Sequence, residues 1–168
     1  MKIAVFSDTH DNKENLKKAL SFLKKEEIKI LIHCGDVAGL DTLEYLLENF
    51  EGKIFLVLGN VDRDYQLKEK IREKERKNLK VFSDFGEIEL ENKRLAFSHF
   101  PERAEELAKT GKYNIVFFGH LHYPEEKKIK KTKLVNPGNL ANLYFKPTFL
   151  IYDLSNDKLE LKFLEKLN

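Results

Sequence analysis

The chain has a single cysteine, Cys34, so no disulfide can close within it, and a reducing, cytoplasmic setting is expected. It contains no apolar run approaching the roughly 18 residues of a membrane-spanning helix. Its N-terminus shows no basic region, apolar stretch and cleavage site of a secretory leader, and instead enters a strand-like segment at once. Charge of one sign is also missing. Lys and Arg number 30 against 28 Asp and Glu, a formal +2, and the two signs are interspersed. That distribution gives no support to a membrane-binding or nucleic-acid-binding surface. No repeat of solenoid length and no low-complexity tract appears. What remains, 168 residues at 42% hydrophobic content, suits one domain with a single well-filled core, residues 1–168.

Three segments share one plan. Residues 3–6 form a short apolar run that stops at Ser7-Asp8-Thr9-His10, and the apolar residues that follow, Leu16, Ala19, Leu20 and Leu23, fall on one helical stripe. Residues 28–33 run into Cys34-Gly35-Asp36, after which Asp41 and Glu44 resemble a capping box opening a helix with Leu43, Leu46, Leu47 and Phe50. Residues 54–58 end in Gly59-Asn60-Val61-Asp62. Three strand-to-helix units in series predict a parallel sheet with right-handed crossovers.

Residues 66–78 crowd charges around Leu67 and Ile71 and read as a mobile exposed helix. Beyond them strands are expected over residues 81–85, 87–91, 94–98, 114–118, 127–131, 133–136, 148–153 and 159–163, with a short helix over 102–109. An α/β architecture of two sheets packed face to face, helices on the outer faces, accommodates all of these.

Polar residues gather where strands end: Asp8 and His10, Asp36, Asn60, His99, and His120 with His122. In open α/β sheets that edge binds ligands. Two carboxylates, a carboxamide and four imidazoles make an oxygen and nitrogen ligand set without thiolate, suited to Mn, Fe, Zn or Ni. Seven groups exceed one tetrahedral ion but suit two ions sharing a carboxylate, about 3.5–4 Å apart, which can hold a nucleophilic water and the oxygens of a phosphate. Hydrolysis of a phosphate ester is the reaction class that follows.

At these residues the chain resembles the calcineurin-like metallophosphoesterases, whose spaced signature reads D-x-H, GD, GN, a lone His and G-H-x-H. Here the blocks are Asp8-Thr9-His10, Gly35-Asp36, Gly59-Asn60, Ser98-His99 and Gly119-His120-Leu121-His122, with Asn136-Pro137-Gly138 similar to the family's late loop beside the site. The resemblance covers residues 3–153. It implies a four-layer α/β/β/α sandwich of two mixed sheets. It also implies two divalent ions, manganese first and Ni, Zn or Fe as alternatives: Asp8, His10 and His122 on one, Asn60, His99 and His120 on the other, Asp36 bridging. A hydroxide held between the ions would attack phosphorus in line, with Asp36, Asn60 and His99 as the catalytic core and Asn60 steadying a phosphate oxygen.

Larger phosphatases of that family place a histidine after GN and pair it with an aspartate three residues after GD. This chain has Val61 and Gly39 there. General acid assistance of that kind contributes about 10²- to 10⁴-fold. Its loss, with the GN-x-D reading of residues 59–62, resembles the small bacterial and archaeal phosphodiesterases and favours a small-molecule diester as substrate. Phe100 replaces the usual glycine after the lone histidine and adds an apolar wall.

Several residues carry two readings. Arg63 and Arg103 could clamp a phosphate oxygen or be ordinary surface arginines. Asp62 could orient Asn60 or a ligand histidine, or cap the following segment. His33 could support the site or simply be buried, and Cys34 reads as a buried filler. The lysines at 127, 128, 130, 131 and 133 read as a protected strand edge ahead of a polyanion patch. Two other functional classes compete: a partner-binding scaffold on the same fold, as in the retromer subunit of the family, and a small nuclease, which the absence of a basic stripe disfavours. Self-association as a homo-oligomer is compatible with the sequence.

Overall fold

The computed structural model describes residues 1–63, 65–74 and 78–167, with the side chains of residues 63 and 65–67 outside the description. Among the described residues no helix is long and apolar enough to cross a membrane. The first sheet runs β11-β10-β1-β2-β3-β4. Its strands are β1 (Lys2–Phe6), β2 (Ile30–His33), β3 (Lys53–Val57), β4 (Leu79–Phe82), β10 (Thr148–Asp153) and β11 (Lys158–Phe163). Strands β1 to β4 pair in parallel, and β10 joins β1 antiparallel. The second sheet runs β5-β6-β7-β9-β8, from β5 (Phe85–Leu90), β6 (Lys93–Ser98), β7 (Ile115–Phe117), β8 (Pro124–Ile129) and β9 (Thr132–Pro137). Both sheets are mixed, and β6 and β7 pair in parallel.

Strand alternation sorts the apolar side chains into three layers of contact. From β1, Ala4 and Phe6 face α1 (Lys13–Lys25) and α2 (Leu40–Asn49), meeting Leu16, Leu20, Leu43 and Leu46. Ile3 and Val5 face the other way and pack between the sheets with Phe55, Phe97, Phe117 and Tyr152. On the far side Ala96, Val116 and Leu134 meet Ala104, Leu107 and Ala108 of α4 (Pro101–Lys109). This is the expected α/β/β/α sandwich. Burial on both faces explains why the parallel strands read as unbroken apolar runs.

Three local expectations are corrected. The segment 81–85 is not one strand: β4 ends at Phe82 in the first sheet and β5 begins at Phe85 in the second, so the chain changes sheets at Ser83-Asp84. Helix α3 (Tyr65–Glu73) ends earlier than expected and is not wholly exposed, because Ile71 is buried beneath it among Leu79, Ile54 and Leu56; residues 75–77 lie outside the description. The capping box at Asp41 and Glu44 does not form. Gly39 is the N-cap of α2, with no side-chain cap of its own, and Asp11 arrives from the β1 loop to accept from the Gly39 N–H at 2.8 Å and from the Thr42 hydroxyl.

Candidate metal centre

Because β1, β2 and β3 run parallel, and β6 and β7 run parallel, each delivers its C-terminal loop to one edge of the sandwich. Backbone bonds then tie loop to loop: Asp8 N–H to Gly35 O at 2.9 Å, His10 N–H to Asp36 O at 3.0 Å, and Gly119 N–H to His99 O at 3.0 Å. The two sheets are joined at the same place. His99 Nδ1 donates to Cys34 O at 2.8 Å, and Asp8 Oδ2 accepts the His120 N–H at 3.0 Å.

All seven residues singled out by their strand-end positions meet here. Asp8, His10 and His122 form one group whose donor atoms lie within 4.8 Å of one another, and Asp8, Asp36 and His99 form a second. Asp36 Oδ2 stands 3.5 Å from His10 Nε2 and 3.5 Å from His99 Nε2. Asn60 Oδ1 stands 2.8 Å from His99 Nε2 and 3.0 Å from His120 Nδ1. Five of the seven, Asp8, His10, Asp36, His120 and His122, hold positive φ between 42° and 68°. Left-handed backbone costs a non-glycine residue on the order of 1 kcal/mol or more, and such residues cluster at functional sites.

The electrostatics call for a cation. Asp8, Asp36 and Asp62 are buried, and among the described residues the ion-pair partners of Asp8 and Asp36 are histidines rather than lysine or arginine. Buried carboxylates without a countercharge cost several kcal/mol each. Asp8 Oδ1, His10 Nε2 and His122 Nδ1 are buried without a hydrogen-bond partner. In neutral His99 the single ring proton is committed to Cys34 O, so Nε2 turns a lone pair toward the Asn60 carbonyl oxygen. Two acceptors at that separation fit a shared metal ion, and the oxygen and nitrogen donors fit a borderline divalent ion. Burial would raise the Asp8 carboxyl, but the imidazoles of His10 and His122 beside it outweigh that effect and hold Asp8 well below the usual carboxylate range. The Asp8 carboxylate, 3.7 Å away, raises His10 in return, against the effect of its burial.

Residues that touch no donor atom of the cavity hold the loops in place. Asp62 Oδ2 accepts the Asp36 N–H at 2.7 Å and the Gly59 N–H at 3.0 Å, while Oδ1 accepts the Ala38 N–H at 3.0 Å. Asp36 returns the tie by accepting the Val61 N–H at 2.9 Å. Among the described residues the motif aspartate thus binds the β2 and β3 loops together. Gly59 is demanded by this closeness, since a Cβ there would sit 2.0 Å from Asp36 Oδ1. Gly35, at φ 99°, would place a Cβ 2.6 Å from His99 Nδ1. His33 supports the site: Nδ1 accepts the Gly35 N–H at 3.2 Å and Nε2–H donates to Thr9 Oγ1 at 2.8 Å. Full burial lowers its pKa to about 3, so it stays neutral in this role. Cys34 is buried, and burial pushes its thiol up, away from reactivity. Asn136 props the His120 loop through its amide to Gly119 O at 2.8 Å.

Arg103 is engaged elsewhere. Its guanidinium contacts Asp84 and Glu106, both at 2.9 Å, lies over the Phe85 ring, and does not line the cavity. The Arg63 side chain lies outside the described residues. Phe100 packs against the site histidines, its ring centroid 4.9 Å from that of His99 and 5.0 Å from that of His120. The lysine-rich segment supplies β8, an edge strand, where Lys127 pairs with Glu105 at 2.8 Å. The sequence reading passed over Leu143 and Tyr144, which line the cavity with His10, Asp36, Asn60 and His122. Their signal was three adjacent apolar residues, 143–145, standing between Asn142 and Pro147 without a strand to join.

Fold and donor set together define a phosphoesterase of the two-sheet metallophosphoesterase class. A family model for the calcineurin-like phosphoesterase superfamily domain matches residues 1–157, and the chain belongs to that superfamily. It is 30% identical over 141 residues to phosphodiesterase MJ0936 of Methanocaldococcus jannaschii, covering 82% of this chain and 83% of that protein. The solved structure of an archaeal phosphodiesterase superposes with a TM-score of 0.82 at 26% identity, over 97% of this chain and 99% of the other. The phosphoesterase Yfce from E. coli shares the fold, with a TM-score of 0.76 at 20% identity over 100% and 96% of the two chains.

Proposed function

We propose that the protein hydrolyses small phosphate diesters at a dinuclear centre in which Asp8, His10 and His122 hold one divalent ion, Asn60, His99 and His120 hold the other, and Asp36 bridges them. The carrying observation is the position of Asp36 Oδ2, equally distant at 3.5 Å from a nitrogen of each histidine group. Bound divalent ions would supply Lewis acidity and a water of lowered pKa at neutral pH. Manganese is the proposed ion, with Ni, Zn or Fe as alternatives that the same donors accept.

The chain's own groups do the rest. His99, locked as the Nδ1–H tautomer by Cys34 O, keeps Nε2 free for the site. Asn60, fixed between His99 and His120, can steady a phosphate oxygen. Asp62 and His33 hold the loops at the spacing that hydrolysis requires. At the position after Asn60, Val61 is exposed and has no proton to give a leaving alkoxide, which supports a diester over a monoester. The relative's name, a phosphodiesterase, agrees with this choice. The buried thiol of Cys34 and the interspersed charge support a cytoplasmic setting.

The test strips the protein of metal and restores Mn, Ni, Zn or Mg singly, comparing a chromogenic diester with its matching monoester. Diester turnover should need metal, exceed monoester turnover, and fall at least 10²-fold in both Asp36→Ala and His99→Ala. Folded, metal-loaded protein without turnover would transfer the assignment to a partner-binding scaffold.

A further inference from the structure

The rim of the cavity carries groups that phosphate chemistry does not use. Among the described residues six large apolar side chains are exposed, and five of them, Val61, Tyr123, Leu143, Tyr144 and Phe145, sit in the loops that carry or border the metal-site residues. Exposed apolar groups gathered at a cavity mark a binding surface. Tyr144 is the extreme, with 96% of its surface open to solvent. Its ring nevertheless stands beside His122, centroids 5.5 Å apart at an interplanar angle of 69°.

The backbone holds it there. Tyr144 has φ 63° and forms the apex of a γ-turn closed by the Phe145 N–H to Leu143 O at 2.7 Å. Left-handed backbone is a genuine outlier for a bulky residue, and nothing in the packing of so exposed a side chain requires it. The turn is stapled by the buried Asn139. Its carbonyl accepts the Leu143 N–H at 3.1 Å, and its amide nitrogen donates to Phe145 O at 3.2 Å and to His122 O at 2.7 Å. One side chain therefore ties the tyrosine turn to the loop that carries His122. On the other histidine pair, Phe100 packs against His99 and His120. Each pair of site histidines has its own aromatic neighbour, and Tyr144 lines a cavity of about 500 Å³ with Asp36 and Asn60 in its wall.

We propose that Tyr144 is a specificity-determining platform on which a flat aromatic substituent of the diester, an aryl ring or a nucleobase, stacks while the phosphate occupies the metal site. The preferred substrates are diesters that carry such a ring. This rests on the phosphodiesterase reading only for where the phosphate lies.

Binding of pairs that are not diesters to the manganese-loaded protein tests it apart from diester turnover. Phenylphosphonate is compared with methylphosphonate, and adenosine 5′-monophosphate with ribose 5-phosphate, by calorimetry at fixed ionic strength. The ring-bearing member of at least one pair should bind about 5- to 100-fold more tightly, the range expected for one stacked ring. Tyr144→Ala should erase that preference and Tyr144→Phe should keep it; the pair that responds tells aryl from nucleobase. Removing so exposed a ring leaves the fold intact, and an unchanged unfolding midpoint verifies this. Equal or undetectable binding within both pairs, or a preference that survives Tyr144→Ala, overturns the proposal. Ring preference without diester turnover would instead overturn the proposed hydrolysis and leave the platform standing.

Discussion

Asp62 shows how one side chain can govern a site without entering it. Its two oxygens receive three backbone N–H groups, from Asp36, Ala38 and Gly59. Burial raises its pKa, and those N–H donors oppose the rise by favouring the carboxylate. In Asp62→Asn the amide nitrogen cannot accept, so at least one buried N–H loses its partner. Urea unfolding should show a loss of about 1–3 kcal/mol, and metal titration an affinity lower by about 10- to 100-fold, the usual effect of disturbing groups that orient ligands. Unchanged affinity would mean that packing alone spaces the β2 and β3 loops. His33 and Asn139 act in the same manner, one joining Thr9 to Gly35 and the other joining His122 to the tyrosine turn. The letters of the seven candidate metal ligands were readable because metal chemistry restricts residue types. The letters of Asp62 and His33 were readable only as ambiguities and that of Asn139 carried no signal, because Asp, His and Asn serve caps, turns and networks equally well.

Among the elements, α3 departs most from its pattern. Six of its nine residues are polar or charged, and a polar stripe of that kind predicts an exposed helix, yet Ile71 reaches the core beside Leu79. A buried anchor makes a definite prediction. Ile71→Ala should cost about 2–5 kcal/mol in denaturant unfolding, whereas an exposed helix position would change stability by less than about 0.5 kcal/mol. The strand boundaries at 148–153 and the stripe of α1 were legible because a continuous apolar run marks the one and 3.6-residue periodicity the other. The break between β4 and β5 was not, since Ser83-Asp84 is a two-residue interruption within a stretch that remains strand-like on both sides. The start of α2 was misread for another reason: Asp11, 28 residues upstream of Gly39, supplies contacts that no local sequence window contains.

Taken as a molecule, the sandwich assembles its site from five loops belonging to two sheets, so metal binding and folding are coupled. Only the folded chain brings Asp8, Asp36 and His99 within 4.8 Å. A ligand present at 100 times its dissociation constant stabilises the fold by about 2.7 kcal/mol, which for a chain of this size raises the unfolding midpoint by about 5–11 °C. Differential scanning calorimetry of metal-stripped protein with and without manganese should show that rise, and Asp36→Ala should remove most of it. A midpoint indifferent to metal would contradict a centre built on the two buried carboxylates Asp8 and Asp36.

Sequence alone was sufficient for the order of the elements, the two-sheet sandwich with outer helices, and the seven residues at strand ends. Burial periodicity and the restricted choice of metal-ligating side chains are written locally, residue by residue. The equal spacing of Asp36 between two histidine groups, the carboxylate of Asp62 across two loops and the capping of α2 by Asp11 are contacts between distant segments. They exist only once both sheets have closed. The same holds for Tyr144: its letter lies in a loop without pattern, and its place beside His122 comes from a backbone turn and a buried asparagine that the packed structure brings together.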